Sequence, residues 1–130
     1  MLKGSCHCGA VSWQFDGDPE SATACNCTIC RRYGALWIYG WDGIDVAVQG
    51  PSKSYVRGQH IGFHFCPTCG CLAYYSGLEP DPDGRLRIAA NLRMIDDPAT
   101  VEKLPIRRFD GLDQFKSLPR DGRCVADLWF

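Results

Sequence analysis

The chain has 130 residues, 45% of them hydrophobic and 22% charged, which is apolar enough for a folded core and excludes a disordered, collagenous or coiled-coil polymer. Fourteen Lys and Arg against fifteen Asp and Glu leave a formal charge of −1, with no basic excess to advertise nucleic-acid binding. No run approaches the ~20 apolar residues of a membrane span and no apolar leader opens the chain, so the expectation is one soluble, cytoplasmic domain over residues 1–130.

Short strands cut by turn signals follow one another. Val11, Trp13 and Phe15 alternate with polar residues, the pattern of a half-buried strand, and residues 17–20 turn the chain toward a cysteine cluster at 25–30. Residues 35–41 read as an aromatic strand whose Trp37, Tyr39 and Trp41 share one face, in the manner of core packing. The turn Asp42-Gly43 predicts that residues 45–48 pair back on it as a hairpin. Beyond Gly50-Pro51 come short runs at 54–57, 62–66 and 72–76, the last two flanking a third cysteine cluster. Residues 77–84 are a loop, and 85–89 a strand with Leu86 and Ile88 on one face. Asp97 before Pro98 has the form of an N-cap and first-turn proline, predicting one short helix through Lys103. The tail, punctuated by Pro105 and Pro119, is expected to be irregular. The class expected is mainly β with few short helices.

Nine cysteines carry the chemistry, and eight of them fall at 6 and 8, at 25, 27 and 30, and at 66, 69 and 71. Neighbours this close do not readily meet disulfide geometry, and thiols in a reducing compartment are metal ligands first. Cys66-Pro-Thr-Cys69-Gly70 has the form of a zinc knuckle, and Cys6 and Cys8 share a face of extended chain. Together they offer four thiolates to one structural zinc. A redox role for the C-x-x-C pair would call for a βαβ setting that the pattern lacks. Cys25, Cys27 and Cys30 offer three thiolates, the number found in catalytic zinc sites that keep a fourth position for water or substrate. The competing reading is a second closed site, completed by Cys71 or a histidine.

Three stretches, G-S-C-H-C-G-A-V at 4–11, C-N-C-T-I-C-R-R-Y-G at 25–34 and F-C-P-T-C-G at 65–70, resemble the glutathione-dependent formaldehyde-activating enzyme family, which also includes centromere protein V. The resemblance runs from residue 4 to about residue 90. It implies a β-tent fold, a structural zinc on Cys6, Cys8, Cys66 and Cys69, and a second, functional zinc on Cys25, Cys27 and Cys30. The expectation is two zincs per chain, the second the more labile. The leading function is a carbon–sulfur lyase of the S-hydroxymethyl-thiol synthase type, acting on a small thiol such as glutathione and an aldehyde such as formaldehyde. The alternative is a zinc-stabilised protein-interaction module without catalysis. Entry of a thiol at the fourth position of the second zinc separates the two.

Arg31, Arg32 and Tyr33 stand beside the second cluster, placed either to hold a thiol's carboxylates or as a solvated basic pair. His7 lies between two ligands and is expected to point away from the metal. His64 is expected to be an ordinary packed histidine, Cys71 to pack, and Cys124 to be a buried small hydrophobe. His60 has no placing context.

Overall fold

A computed structural model describes residues 1–129. Eleven strands form two sheets, and the class is mainly β with few short helices, as the sequence implies. The smaller sheet joins β1 (Leu2–Ser5), β2 (Ser12–Phe15) and β5 (Val46–Gln49) in the order β1-β2-β5, all antiparallel. The larger contains β3 (Ala22–Cys25), β4 (Trp37–Trp41), β6 (Lys53–Arg57), β7 (Ile61–Phe65), β8 (Leu72–Gly77), β9 (Arg87–Asn91), β10 (Ile106–Asp110) and β11 (Lys116–Ser117). Its order is β11-β10-β3-β4-β9-β8-β7-β6, antiparallel throughout except where β10 lies parallel to β3. Among the described residues no helix is long and apolar enough to cross a membrane.

Three expectations are corrected. Residues 45–48 do not pair back on β4: the turn forms, with the Trp41 amide donating to the Asp45 carboxylate at 2.9 Å, but β5 leaves for the smaller sheet. There Val46 pairs with Phe15 and Val48 with Trp13, so two apolar side chains find apolar partners that local pairing would not have given. The helix after Asp97 is a single 3₁₀ turn, Pro98–Thr100. Its cap is as expected, with the Asp97 carboxylate accepting from the Ala99 amide at 3.2 Å, but Val101 leaves the helical path and is 3% exposed in the core. The tail is not irregular, since Ile106–Asp110 joins the larger sheet as β10.

The central strands of the larger sheet carry apolar side chains on both faces, and their period-two alternation divides two clusters. From β4 and β9, Ile38, Ile88 and Ala90 enter the main core with Trp13, Phe15 and Leu36. Trp37 and Ala89, one residue away on the same strands, enter a second cluster with Phe63, Leu72, Cys27 and Cys30. That second face carries Cys27 and Cys30, with Cys25 packed against them.

Candidate metal centres

Cys6 and Cys8 lie in the turn after β1, and Cys66 and Cys69 in the turn after β7, so their meeting joins the smaller sheet to the β7–β8 connection of the larger one. The two turns are built alike. The Cys6 amide donates to the Val11 carbonyl at 2.8 Å and the Cys66 amide to the Cys71 carbonyl at 2.9 Å; within them, the Gly9 and Gly70 amides return to the first cysteine's carbonyl, each at 2.9 Å. The four sulfurs lie within 4.8 Å of one another, with Cys8 Sγ 3.6 Å from both Cys6 Sγ and Cys66 Sγ. Four sulfurs set at ~2.3 Å around a tetrahedral zinc are ~3.8 Å apart, so the spacing fits that ion. The Val11 amide donates to Cys6 Sγ at 3.3 Å, and the Thr68 and Cys69 amides to Cys66 Sγ at 3.4 and 3.5 Å. Such donors favour thiolate over thiol. The Cys71 amide, foremost among several donors, holds Cys69 down to about 5.

The second cluster stands at a β-strand end. Cys25 closes β3, Cys27 lies in the turn, and Cys30 opens the one-turn helix α1 (Cys30–Tyr33), which Gly34 ends at φ 67°. The three sulfurs are within 4.8 Å of one another, and among the described residues no further Cys, His, Asp or Glu joins them. The Cys30 amide donates to Cys27 Sγ at 3.3 Å and the buried Trp37 indole N–H to Cys30 Sγ at 3.4 Å. A hydrogen bond from Cys30, with lesser ones from the Cys27 and Gly111 amides, holds the Cys25 thiol down to about 5. Cys30, which keeps the shared proton, is pushed up in turn. Three converging sulfurs with backbone and indole donors suit a soft divalent cation.

Among the described residues neither Cys71 nor a histidine is grouped with the triad, and Cys71 packs against the main core. Cys71→Ser should therefore keep the metal content of the wild type and change stability by less than ~2 kcal/mol, as metal analysis and thermal melting would show. Loss of a metal equivalent would contradict this placement.

Above the three sulfurs is a cavity of about 100 Å³, walled by Trp37, Tyr39, Phe63, Tyr75 and Phe109, with Arg57 and Phe115 also lining it. That is room for about three waters. Tyr75 packs edge-on to Trp37 at 4.8 Å and lies 5.4 Å from Phe63. Burial above all raises both the Tyr39 and Tyr75 hydroxyls, which keeps them protonated donors at neutral pH. Core packing thus describes Trp37, whereas Tyr39 faces the cavity and is 42% exposed. A wider, open groove of about 420 Å³ adjoins, lined by Thr28, Ile29, Arg32, Tyr33, Tyr55 and Arg57. The Arg32 guanidinium donates to the Thr28 carbonyl at 2.7 Å, and among the described residues neither it nor Arg57 has an acidic partner. Arg31 is exposed and lines neither space.

The histidines take no part. His7 and His60 are exposed. His64 stacks on Tyr74 at 4.6 Å and shares a hydrogen bond with the Ser52 hydroxyl at 2.9 Å, and burial lowers its pKa, so it is a packed, neutral histidine. Cys124 is only half-buried, because its place is the N-cap of the turn Val125–Leu128. Sequence reasoning passed over Asn26, Arg57, Phe63, Tyr75, Phe109, Gly111 and Phe115. For Phe63 and Tyr75 a signal existed in the alternation of 62–66 and 72–76, and Asn26 stands between two of the cysteines in sequence; for the rest only the fold brings them to the sulfurs.

A model of the glutathione-dependent formaldehyde-activating enzyme family matches residues 1–103. The crystal structure of a protein from Rhodobacter sphaeroides is similar, with a TM-score of 0.61 at 26% identity over 80% of this chain and 98% of that one. No functionally curated protein matches the chain.

Proposed function

The chain belongs to the glutathione-dependent formaldehyde-activating enzyme family, and from that premise we propose that it is a zinc-dependent carbon–sulfur lyase of the S-hydroxymethyl-thiol synthase type, joining a small thiol to a small aldehyde or reversing that step. In this reading residues 1–130 work as one cytoplasmic, zinc-holding domain. Cys6, Cys8, Cys66 and Cys69 hold a structural zinc, and Cys25, Cys27 and Cys30 a second, more labile one. The observation that carries the reading is three sulfurs, without a fourth protein ligand among the described residues, opening onto a small aromatic cavity.

Zinc bound there supplies charge that keeps a sulfur as thiolate near neutral pH. The residues of the chain do the rest. Trp37 and the Cys27, Cys30 and Gly111 amides hold the three cysteine sulfurs in place and spread their charge. The aromatic walls exclude water and so strengthen every electrostatic contact inside. At about 100 Å³ the cavity admits the thiol's CH₂–S end and a one-carbon carbonyl, while the body of the thiol lies outside. The adjoining groove suits that body, since Arg32 and Arg57 offer guanidinium groups to its carboxylates. As sulfur bonds to the carbonyl carbon, negative charge gathers on the oxygen, and the Tyr39 and Tyr75 hydroxyls are the donors on hand to meet it. The proton comes ultimately from solvent, which also takes up the proton that the thiol loses.

Exchange of formaldehyde between free and glutathione-bound forms, followed by NMR with the spontaneous rate subtracted, tests this. Exchange above background with glutathione or another small thiol is expected. Background rates across a panel of thiols and aldehydes would leave the interaction module as the function.

A further inference from the structure

Residues 110–115 lie beyond the stretch matched by the family model, yet Gly111 among them stands directly against Cys25 and Cys27. Asp110 ends β10 with its side chain buried at 7% exposure. Its carboxylate accepts from the Asn26 side-chain amide at 3.1 Å and from the Asp113 and Gln114 backbone amides at 3.1 and 3.2 Å. Asn26, set between Cys25 and Cys27, returns the contact: its side-chain oxygen accepts from the Leu112 amide at 3.0 Å, and its backbone amide donates to the Phe109 carbonyl at 3.2 Å. One asparagine thus ties the cysteine turn to the end of β10 and the turn after it at three points, Phe109, Asp110 and Leu112.

The tie brings Gly111 onto the sulfurs. A Cβ there would stand 2.8 Å from Cys25 Sγ and 3.0 Å from Cys27 Cβ, so no larger residue fits without moving a ligand. Phe115 follows with φ at 51°, a conformation that bulky L-residues rarely adopt. It is 76% exposed, touches Phe109 edge-on at 5.1 Å and borders the cavity. An exposed ring gains little burial to offset that backbone, and strain of this kind persists where the surroundings impose it. Asp110, five residues earlier, holds the Asp113 and Gln114 amides that lead into Phe115.

We propose that Asn26 and Asp110 are positioning residues for the second cysteine site: their clamp presses Gly111 against the Cys25 sulfur and holds Phe115 as a cover over the cavity. This rests on the reading of Cys25, Cys27 and Cys30 as metal ligands. Neither residue touches the reactants. Their effect passes through the place of one sulfur and the closure of one wall.

Asn26→Asp tests the clamp with almost no change of shape, because it sets a second carboxylate against Asp110. The swap Asn26→Asp/Asp110→Asn removes the like-charge contact and restores a donor opposite an acceptor between the two side chains, although the Asp113 amide, which shares the Asp110 Oδ1 acceptor, loses its partner. Outer contacts of this kind usually alter metal affinity ~10–100-fold, and a loss of that size at the second site is expected for Asn26→Asp and for Gly111→Ala. The first metal and the thermal transition should remain, and the swap should recover part of the affinity. Cobalt absorption reads the second site directly, and its thiolate-to-metal band should shift in both single variants and return in the swap. Wild-type affinity and spectrum in both single variants would overturn the proposal, as would a swap no better than Asn26→Asp. A second readout needs no metal at the triad: in protein that holds only the first metal, Cys25 should be alkylated by iodoacetamide several-fold faster in Asn26→Asp than in wild type or swap, and equal rates would overturn the proposal. If wild type binds only one metal, the functional reading fails, and these alkylation rates still judge the clamp.

Discussion

Cys66→Ser is expected to leave the chain largely unfolded. Cys66 is fully buried, and its sulfur sits where the turn after β1 meets the turn after β7, so a metal bound there would tie the smaller sheet to the larger. A structural zinc contributes ~10–16 kcal/mol of apparent binding energy, against ~5–15 kcal/mol for the net stability of a whole domain. Serine keeps the size but is a poor ligand for a soft ion, and two of the remaining three sulfurs then stand in a buried or half-buried place as uncompensated groups. Circular dichroism on heating, with metal content measured on the same sample, gives the answer. A cooperative transition within a few degrees of wild type would show that this cluster does not hold the fold.

The second large effect is opposite in kind. Cys27→Ser should reduce thiol–aldehyde exchange to the spontaneous rate while leaving a folded chain with one metal. Cys27 is 3% exposed and belongs to the second cluster, so its loss removes a ligand from the triad without touching the four sulfurs that join the sheets. A site of two sulfurs binds zinc far more weakly than one of three and offers no defined fourth position. The Cys30 amide also loses its sulfur acceptor, a further cost of about 1 kcal/mol, too little to unfold the chain. Wild-type exchange in a folded Cys27→Ser protein would remove the triad from the reaction.

Both predictions stand on residues that the sequence displays openly. Seven cysteines at spacings of two and three mark out the two groups whose sulfurs the fold brings together, because thiolates that share a metal come from tight local turns. Strand alternation was equally open at Trp13 and Phe15, and at Phe63 and Tyr75. What stayed hidden depended on long-range pairing. Val46 and Val48 look like the return arm of a hairpin, and only the presence of Trp13 and Phe15 in a second sheet gives them a better place. Ile106–Asp110 carries two arginines and no clean alternation, and its parallel partner β3 lies some eighty residues earlier, so no local pattern marks it as a strand. With β10 unseen, Phe109, Gly111 and Phe115 had no reason to be near a sulfur. The aromatic walls were misread for a related reason: β4 has apolar material on both faces, and sequence alone does not tell which face keeps a cavity.

The central claim is that the triad takes an outside thiol as its fourth ligand. Cadmium NMR of the cadmium-loaded protein measures this at each site, since the resonance responds strongly to the number of sulfur ligands. Two resonances are expected, one from the four-cysteine site and one from the triad. Added glutathione, or the thiol that proves active in exchange, should move the triad resonance toward the four-sulfur one and leave the other still. A triad resonance indifferent to every thiol, or one already in the four-sulfur position before any thiol is added, would contradict the account.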